Sequence, residues 1–263
     1  MYRRFSVVRI LVLSFAAILL AACDTPPSAP PPQAIAKVHT IGIISSLGTA
    51  LNFERIGVGG YDNDFYHVPM PQLGLDPYIV GLVSKQLAGR FDVRPVEYSP
   101  GDFVGSATSD DTMATITSRI RTSAKPADLD AYLLVLSAVA QMQGTGQLYD
   151  RTAQEVGGLG VYRKAYIGQH YHYAHATYIV VLVDGHTGKV LSETGAPGGY
   201  QKMGFLEFPK VGGPYLDVDE TVWPEADPQH PAPALVTKLV EQTLKPLLAE
   251  SVGPTLKAAK LIP

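Results

Sequence analysis

The chain has 263 residues, 46% of them hydrophobic and 17% charged, with a formal net charge of −3 and one cysteine. A slightly acidic chain lacks the basic excess that nucleic acid or an anionic lipid surface selects. One cysteine excludes an internal disulfide framework and a multi-cysteine zinc site, so stability must come from a buried core, for which this length is ample.

The chain opens with a positive segment, Tyr2-Arg3-Arg4 to Arg9, followed by the uncharged run Ile10 to Ala22 and then Cys23. That run of 13 residues spans about 20 Å as a helix, short of the roughly 30 Å hydrocarbon core of a bilayer. Positive charge, a short apolar core and small residues before a cut site mark a secretory leader. The ending Leu20-Ala21-Ala22-Cys23 resembles the lipobox of bacterial lipoproteins. The resemblance implies cleavage before Cys23, a diacylglyceryl group on its sulfur and acylation of the new amino terminus. It also implies a bacterial envelope location, anchored to the inner or outer membrane and facing the periplasm. Phe5 directly after Arg3-Arg4 does not fit the twin-arginine spacing, so the general secretory route is expected. Loss of residues 1–22 removes Arg3, Arg4 and Arg9 and no acid, which takes the formal charge from −3 to −6. Acyl chains, not basic residues, would then hold the membrane.

Residues 23–36 read as a lipidated cysteine and a tether, with Pro26, Pro27, Pro30, Pro31 and Pro32 favouring a semi-rigid polyproline spacer. Asp24, next to the lipidated position, resembles the inner-membrane retention signal of some enterobacterial lipoproteins. Residues 37–263 are expected to form one globular domain.

Val38 to Leu47 and Leu51 to Val58 read as strands, with Gly48-Thr49-Ala50 as a hairpin turn between them. Gly57-Val58-Gly59-Gly60 lacks the glycine spacing of a dinucleotide loop, and Asp62-Asn63-Asp64 lacks that of an EF-hand, so a turn is expected there. Asp76-Pro77 opens a helix, with Asp76 capping its free N–H groups; Ile79, Val80, Leu82, Val83 and Leu87 form its apolar stripe and Gly89 ends it. Phe91 to Tyr98 reads as a strand that Pro95 places at an edge or bulge. Asp110 to Arg121 carries Met113, Ile116 and Ile120 at helical spacing. Tyr132 to Ala140 and Ala176 to Val183 are apolar runs of strand length, expected at the sheet centre and buried on both faces. Leu134, Val135, Val180 and Val181 are the residues singled out as core. Asp184 to Lys189 turns the chain into Val190-Leu191-Ser192-Glu193. A last helix carries Leu235, Val236, Leu239, Val240, Leu244, Leu247 and Leu248, with a kink expected at Pro246 and an interruption at Gly253-Pro254.

These elements make an α/β (or α+β) fold, a single domain with a mixed β-sheet covered by helices. Their order loosely resembles the α/β domains of secretion- and translocation-associated envelope lipoproteins.

No Gly-x-Ser-x-Gly, His-Glu-x-x-His or Ser-x-x-Lys with Lys-Thr-Gly occurs, so no catalytic residue is picked out. No cofactor is expected. In Tyr166 to His175, a strand places His170 and His172 on one face, their Cα atoms about 7 Å apart, and Tyr171, Tyr173 and His175 on the other. Two imidazoles are fewer than a zinc or copper site needs, so His170 and His172 are weak candidates and no metal is expected. The long stretch Thr194 to Ala234 holds Tyr200, Phe205, Phe208, Tyr215 and Trp223, either as a flap packed on the sheet or as a surface for an envelope protein partner. The leading reading is therefore an anchored binding or scaffolding domain. A periplasmic hydrolase without a recognisable motif, or a metal-binding lipoprotein, is the alternative.

Overall fold

Among the described residues, the longest element of the computed structural model is strand β8 (Gln169–Asp184), and the sheet is assembled along it. The structure describes residues 32–56, 64–104, 110–125, 128–141, 155–166, 169–196, 200–203, 206–209 and 214–263. The leader, the tether up to Pro31, and the Gly57–Gly60 segment lie outside them. Residues 32–263 form one compact unit, with Ile35 packed in its core.

Along one edge of β8, β5 (Ala131–Ser137) pairs antiparallel with Tyr178–Asp184, and β7 (Glu155–Tyr166) pairs antiparallel with Gln169–Thr177. Along the other edge lie β9 (Val190–Gly195) and β12 (Tyr215–Asp217). The hydrogen bonds alternate as a strand requires: Ala138 N–H donates to Thr177 O on one edge, and Ala196 N–H to Tyr178 O on the other. The sheet thus has two halves that share β8. Outside β5 lie β1 (Thr40–Ser45) and β4 (Asp92–Arg94), both parallel to their neighbours. Outside β7 lie β2 (Ala50–Ile56), parallel to it, and β3 (Asp64–Pro69), antiparallel to β2. A short β6 (Val139–Gln141) pairs with the start of β7, and β10 (Tyr200–Met203) and β11 (Leu206–Pro209) form a separate hairpin. The result is a mixed sheet with helices on it, the expected α/β architecture.

The apolar runs lie where the sequence puts them. Leu134, Val135, Val180 and Val181 are all buried. Alternation sends Leu133, Val135, Val180 and Leu182 into one core, together with α1 (Leu75–Leu87), α3 (Pro233–Leu239) and α4 (Lys245–Ala258). Leu134, Leu136, Val181 and Val183 enter a second core under α2 (Asp110–Ser123), through Ile116 and Ile120. The half of the sheet built on β5 is therefore covered on both faces. Pro95 does accompany an edge strand, although β4 is shorter than Phe91 to Tyr98.

Three local expectations are corrected by long-range contacts. Leu47–Thr49 is a single 3-10 turn and not a hairpin: β1 and β2 do not pair, and β2 runs on to lie parallel to β7. Asp76 does not cap its own helix; its carboxylate accepts from Ser45 Oγ at 2.6 Å and from the Gly48 N–H at 2.9 Å, which pins that turn to α1. Gly48 admits no side chain, since a Cβ there would stand 2.5 Å from Leu75 Cβ. Gly253-Pro254 does not interrupt the last helix, which runs from Lys245 to Ala258. An interior proline costs about 3 kcal/mol. Buried Leu247, Leu248, Val252 and Leu256 offset it at roughly 1.5–3 kcal/mol each. The Tyr178 hydroxyl, within 2.8 Å of Ser251 Oγ and 3.1 Å of Thr255 Oγ1, fixes the same helix to β8. The irregularity falls earlier, in a π-helical turn at Val240–Leu244 just ahead of Pro246.

Leu134→Ala should cost about 2–5 kcal/mol, because the cavity would open between β5 and α2 where neither can collapse. Gly48→Ala should cost about 1–3 kcal/mol by forcing the turn away from α1. Denaturant titration measures both; a loss under about 0.5 kcal/mol for Leu134→Ala would mean that β5 is not a central strand.

Candidate binding face

On the half of the sheet built on β7, the two faces differ. Leu51 and Phe53 of β2, Leu159 and Val161 of β7, and Ala174 and Ala176 of β8 point into the main core. Alternation then sends Asn52, Glu54, Gly158, Gly160, Tyr162, Tyr173, His175 and Thr177 to the opposite face. The register lines them up in rows: Glu54 beside Tyr162, Tyr162 beside Tyr173, Asn52 beside Gly160, Gly160 beside His175, and Gly158 beside Thr177. Tyr215 on β12 sits opposite His175, which completes that row.

This face is polar and yet buried. Glu54 is 3% exposed, Thr177 2% and His175 0%. Its polar side chains at the β2 side are well used. Asn52 donates from Nδ2 to the Gly157 carbonyl, its Oδ1 lies 2.8 Å from His67 Nδ1, and the Gly157 N–H donates to Glu54 Oε1 at 3.4 Å. Gly160 must be glycine, because a Cβ there would sit within 1.9 Å of the Asn52 carbonyl oxygen. Among the described residues, four atoms on this face make no hydrogen bond of good geometry: Glu54 Oε2, both imidazole nitrogens of His175, and Thr177 Oγ1, although the Gly158 backbone acts on the His175 ring. A buried polar group left unpaired costs about 1–3 kcal/mol, so such a cluster is not a by-product of good packing.

Burial sets the charges. It pushes the Glu54 carboxyl up to about 8, and the Gly157 N–H only partly opposes this. It pushes the His175 imidazole down to about 3, with the Gly158 backbone a weaker opposing influence. At neutral pH both side chains are therefore largely uncharged. The Tyr162 phenol is raised well above its ordinary value by burial, then by Tyr173, Tyr215, Asp217 and Glu54; burial and then Asp217 do the same to Tyr173.

Tyrosines form the rest of the face. The Tyr162 and Tyr173 rings stack with centroids 4.8 Å apart, Tyr171 lies nearly parallel to Tyr173 at 6.4 Å, and Tyr215 meets Tyr173 edge-on at 5.5 Å. Tyr171 and Tyr215 are half-buried, at the rim of the cluster.

The residues singled out from sequence are distributed differently from expectation. The strand alternation at Tyr171 to His175 is as read. The histidine that matters is His175, set aside in sequence because it lies opposite His170 and His172. His172 is buried on the main-core side, and the side chain of His170 lies outside the described residues. Among the described residues no group of three His, Cys, Asp or Glu is placed to hold a metal. Of the five aromatics proposed as a surface, Trp223 is corrected: it is a core residue, edge-on to Phe53 at 6.2 Å, because the 3-10 turn Glu220–Val222 folds it inward. Tyr215 belongs to the polar face. The side chains of Tyr200 and Phe208 on the β10–β11 hairpin, and Phe205, lie outside the described residues. Glu54 had no local signal in sequence; its significance comes only from the strands beside it.

The two buried titratable groups give a defined pH dependence. Between about pH 4.5 and 8 folded Glu54 holds a proton that the unfolded chain has released, so its contribution to stability falls as pH rises. His175 works the other way: between about pH 3 and 6.5 the unfolded chain binds a proton that the folded protein does not, so stability falls as pH drops. The two oppose each other from about 4.5 to 6.5, which leaves Glu54 alone above and His175 alone below that window. Glu54→Gln should flatten the alkaline fall, and His175→Gln the acid one, each by up to about 1.4 kcal/mol per pH unit. Chemical denaturation at a series of pH values, compared with the parent, measures this; parallel curves would show that neither group is buried as described.

No protein-family model matches this chain and no curated protein matches it in sequence, so the role of this face is read from its own geometry.

Proposed function

We propose that this is a lipid-anchored bacterial envelope protein whose domain faces the periplasm and binds a partner or ligand through the tyrosine-lined half of its sheet. The anchor rests on Leu20-Ala21-Ala22-Cys23, the apolar run before it and the proline-rich segment after it. The binding role rests on one observation: buried polar atoms without a partner among the described residues, gathered on one face of the β7 half of the sheet. Chains stabilised only by their core rarely keep such groups, and a functional role is one of the few reasons to keep them. The half-buried rings of Tyr171 and Tyr215 at the rim supply the amphipathic contact area typical of binding surfaces.

Mass spectrometry of the N-terminal peptide should find Cys23 as the first residue, carrying diacylglycerol, and Cys23→Ser should leave the precursor uncut. Unmodified Cys23 in the mature protein would remove the anchor. For the domain, a photo-crosslinking residue at Tyr215 should capture an envelope component in native membranes, where the same residue at Lys257 on α4 does not. Equal capture from both positions would remove the binding face.

A further inference from the structure

We propose that the end of the domain where β8 closes is a basic surface that settles on the anionic lipid headgroups of the leaflet holding Cys23. This rests on the reading of the chain as lipid-anchored and adds which way the anchored domain faces. The net charge of −3 conceals how the charges are divided. Strands β1, β4 and β5 all begin beside Asp184, the last residue of β8, since Ala131 pairs with both Asp184 and Ile41, and Thr40 with Asp92. Helices α1, α2 and α4 end there too. α1 leads directly into β4, Arg121 Nη2 on α2 donates to the His186 carbonyl at 3.0 Å, and Arg90 Nη1 donates to the Lys260 carbonyl beyond α4 at 3.0 Å. The exposed cations of this end come from separate elements. Lys85, Arg121 and Lys257 lie in the last turns of the three helices, where they also offset the negative helix termini. Lys37, Arg90, Lys189 and Lys260 lie outside the helices and have no such role. Of the acids at this end, Asp92 is paired with Arg94, Asp130 accepts from the His39 and Thr40 N–H groups, and Asp184 from those of His186 and Thr187. Asp128 is the fourth, so the cations outnumber them.

The other half of β8 is the reverse. Asp217 pairs with Tyr173, about 35 Å from Asp184 along the strand, and exposed Asp219, Glu220 and Glu225 follow it. Cations there are held by acids: Arg55 by Asp64 and Arg163 by Glu225, at 2.5 Å each. A separation of about 35 Å exceeds the roughly 10 Å over which exposed charges act in ordinary salt, so each end meets a charged surface on its own terms. The described chain also enters at the basic end, through the one-turn helix Pro32–Ile35 and Lys37 ahead of β1. The segment from Cys23 to Pro32 reaches at most about 30 Å. Of the polyanions such a surface can meet, the bilayer is the one to which the tether holds it. The acyl chains hold the domain, the basic end turns toward the headgroups, and the acidic end is repelled. Tyr215 then points away from the bilayer, toward other envelope components, and Lys257 faces lipid.

The test uses the lipidated chain in nanodiscs with an energy acceptor on the headgroups. A fluorophore is placed on Gln86→Cys near the basic end or on Thr221→Cys in the acidic half; an acylated Cys23 does not react. Transfer from position 86 relative to 221 should rise about twofold when about one-third of a phosphatidylcholine disc is replaced by phosphatidylglycerol, and fall back in about 0.5 M salt. Lys37→Gln/Lys189→Gln/Lys257→Gln should abolish the rise. The same ratio in both discs overturns the proposal, as does a rise that survives salt or the triple variant. If that variant fails to fold, the lipid and salt series on the parent decides alone. A Cys23 that carries no acyl group, read by mass before reconstitution, retires anchor and orientation together; an acylated chain with an unchanged ratio retires the orientation and leaves the anchor.

Discussion

The continuous hydrogen-bond ladder on β8 is the constraint on which the rest of this structure depends. Its 16 residues hand one edge from β7 to β5 at Thr177–Tyr178, and the other from β12 to β9. No residue can slip by one without turning Val180 and Leu182 out of the main core and Val181 and Val183 out of the second. That register also decides which side chains share the opposite face further along the strand. The apolar half of β8 thereby positions the polar half, and His175 is placed by the same alternation that buries Val181.

A second fixed point holds the two halves together at the step from β1 to β2. The Asp76 carboxyl takes hydrogen bonds from Ser45 and from the Gly48 backbone, so the step from β1 to β2 is bound to the first turn of α1. Burial raises the pKa of this carboxyl, while the bonds from Ser45 and Gly48 work to keep it ionised. The same step carries β2 from the half covered on both faces to the half that bears the polar cluster. Asn52 and Glu54 then reach Gly157, which sets the start of β7 relative to β2.

The polar face is where the chain departs from its own rules. Several buried polar groups elsewhere are satisfied: Tyr178 by Ser251 and Thr255, Ser46 by the Phe103 carbonyl, Ser192 by the Ala259 carbonyl. Around Glu54, His175 and Thr177 that accounting does not close among the described residues. An apolar replacement at His175 would pack without the desolvation cost, so an unpaired imidazole there weakens the fold unless something outside the chain completes it. Local conflict of this kind against a consistent background is what a functional site looks like in a folding landscape.

From the sequence alone came the two apolar runs of β5 and β8, the helices near Asp76 and Asp110, and the strand alternation around His172. Each is a short-range pattern, because hydrophobic period is a property of neighbours in the chain. Tertiary structure decided the rest. The turn at Gly48 is not a hairpin because Asp76, 28 residues away, holds its N–H. Helix α4 passes through Pro254 because buried leucines on both sides outweigh one lost hydrogen bond. Trp223 is core because Phe53 lies under it. Glu54 and His175 share a face only because β7 stands between β2 and β8. Burial, and with it the charge state of a carboxyl or an imidazole, depends on what packs across the sheet, and a linear sequence does not carry that information.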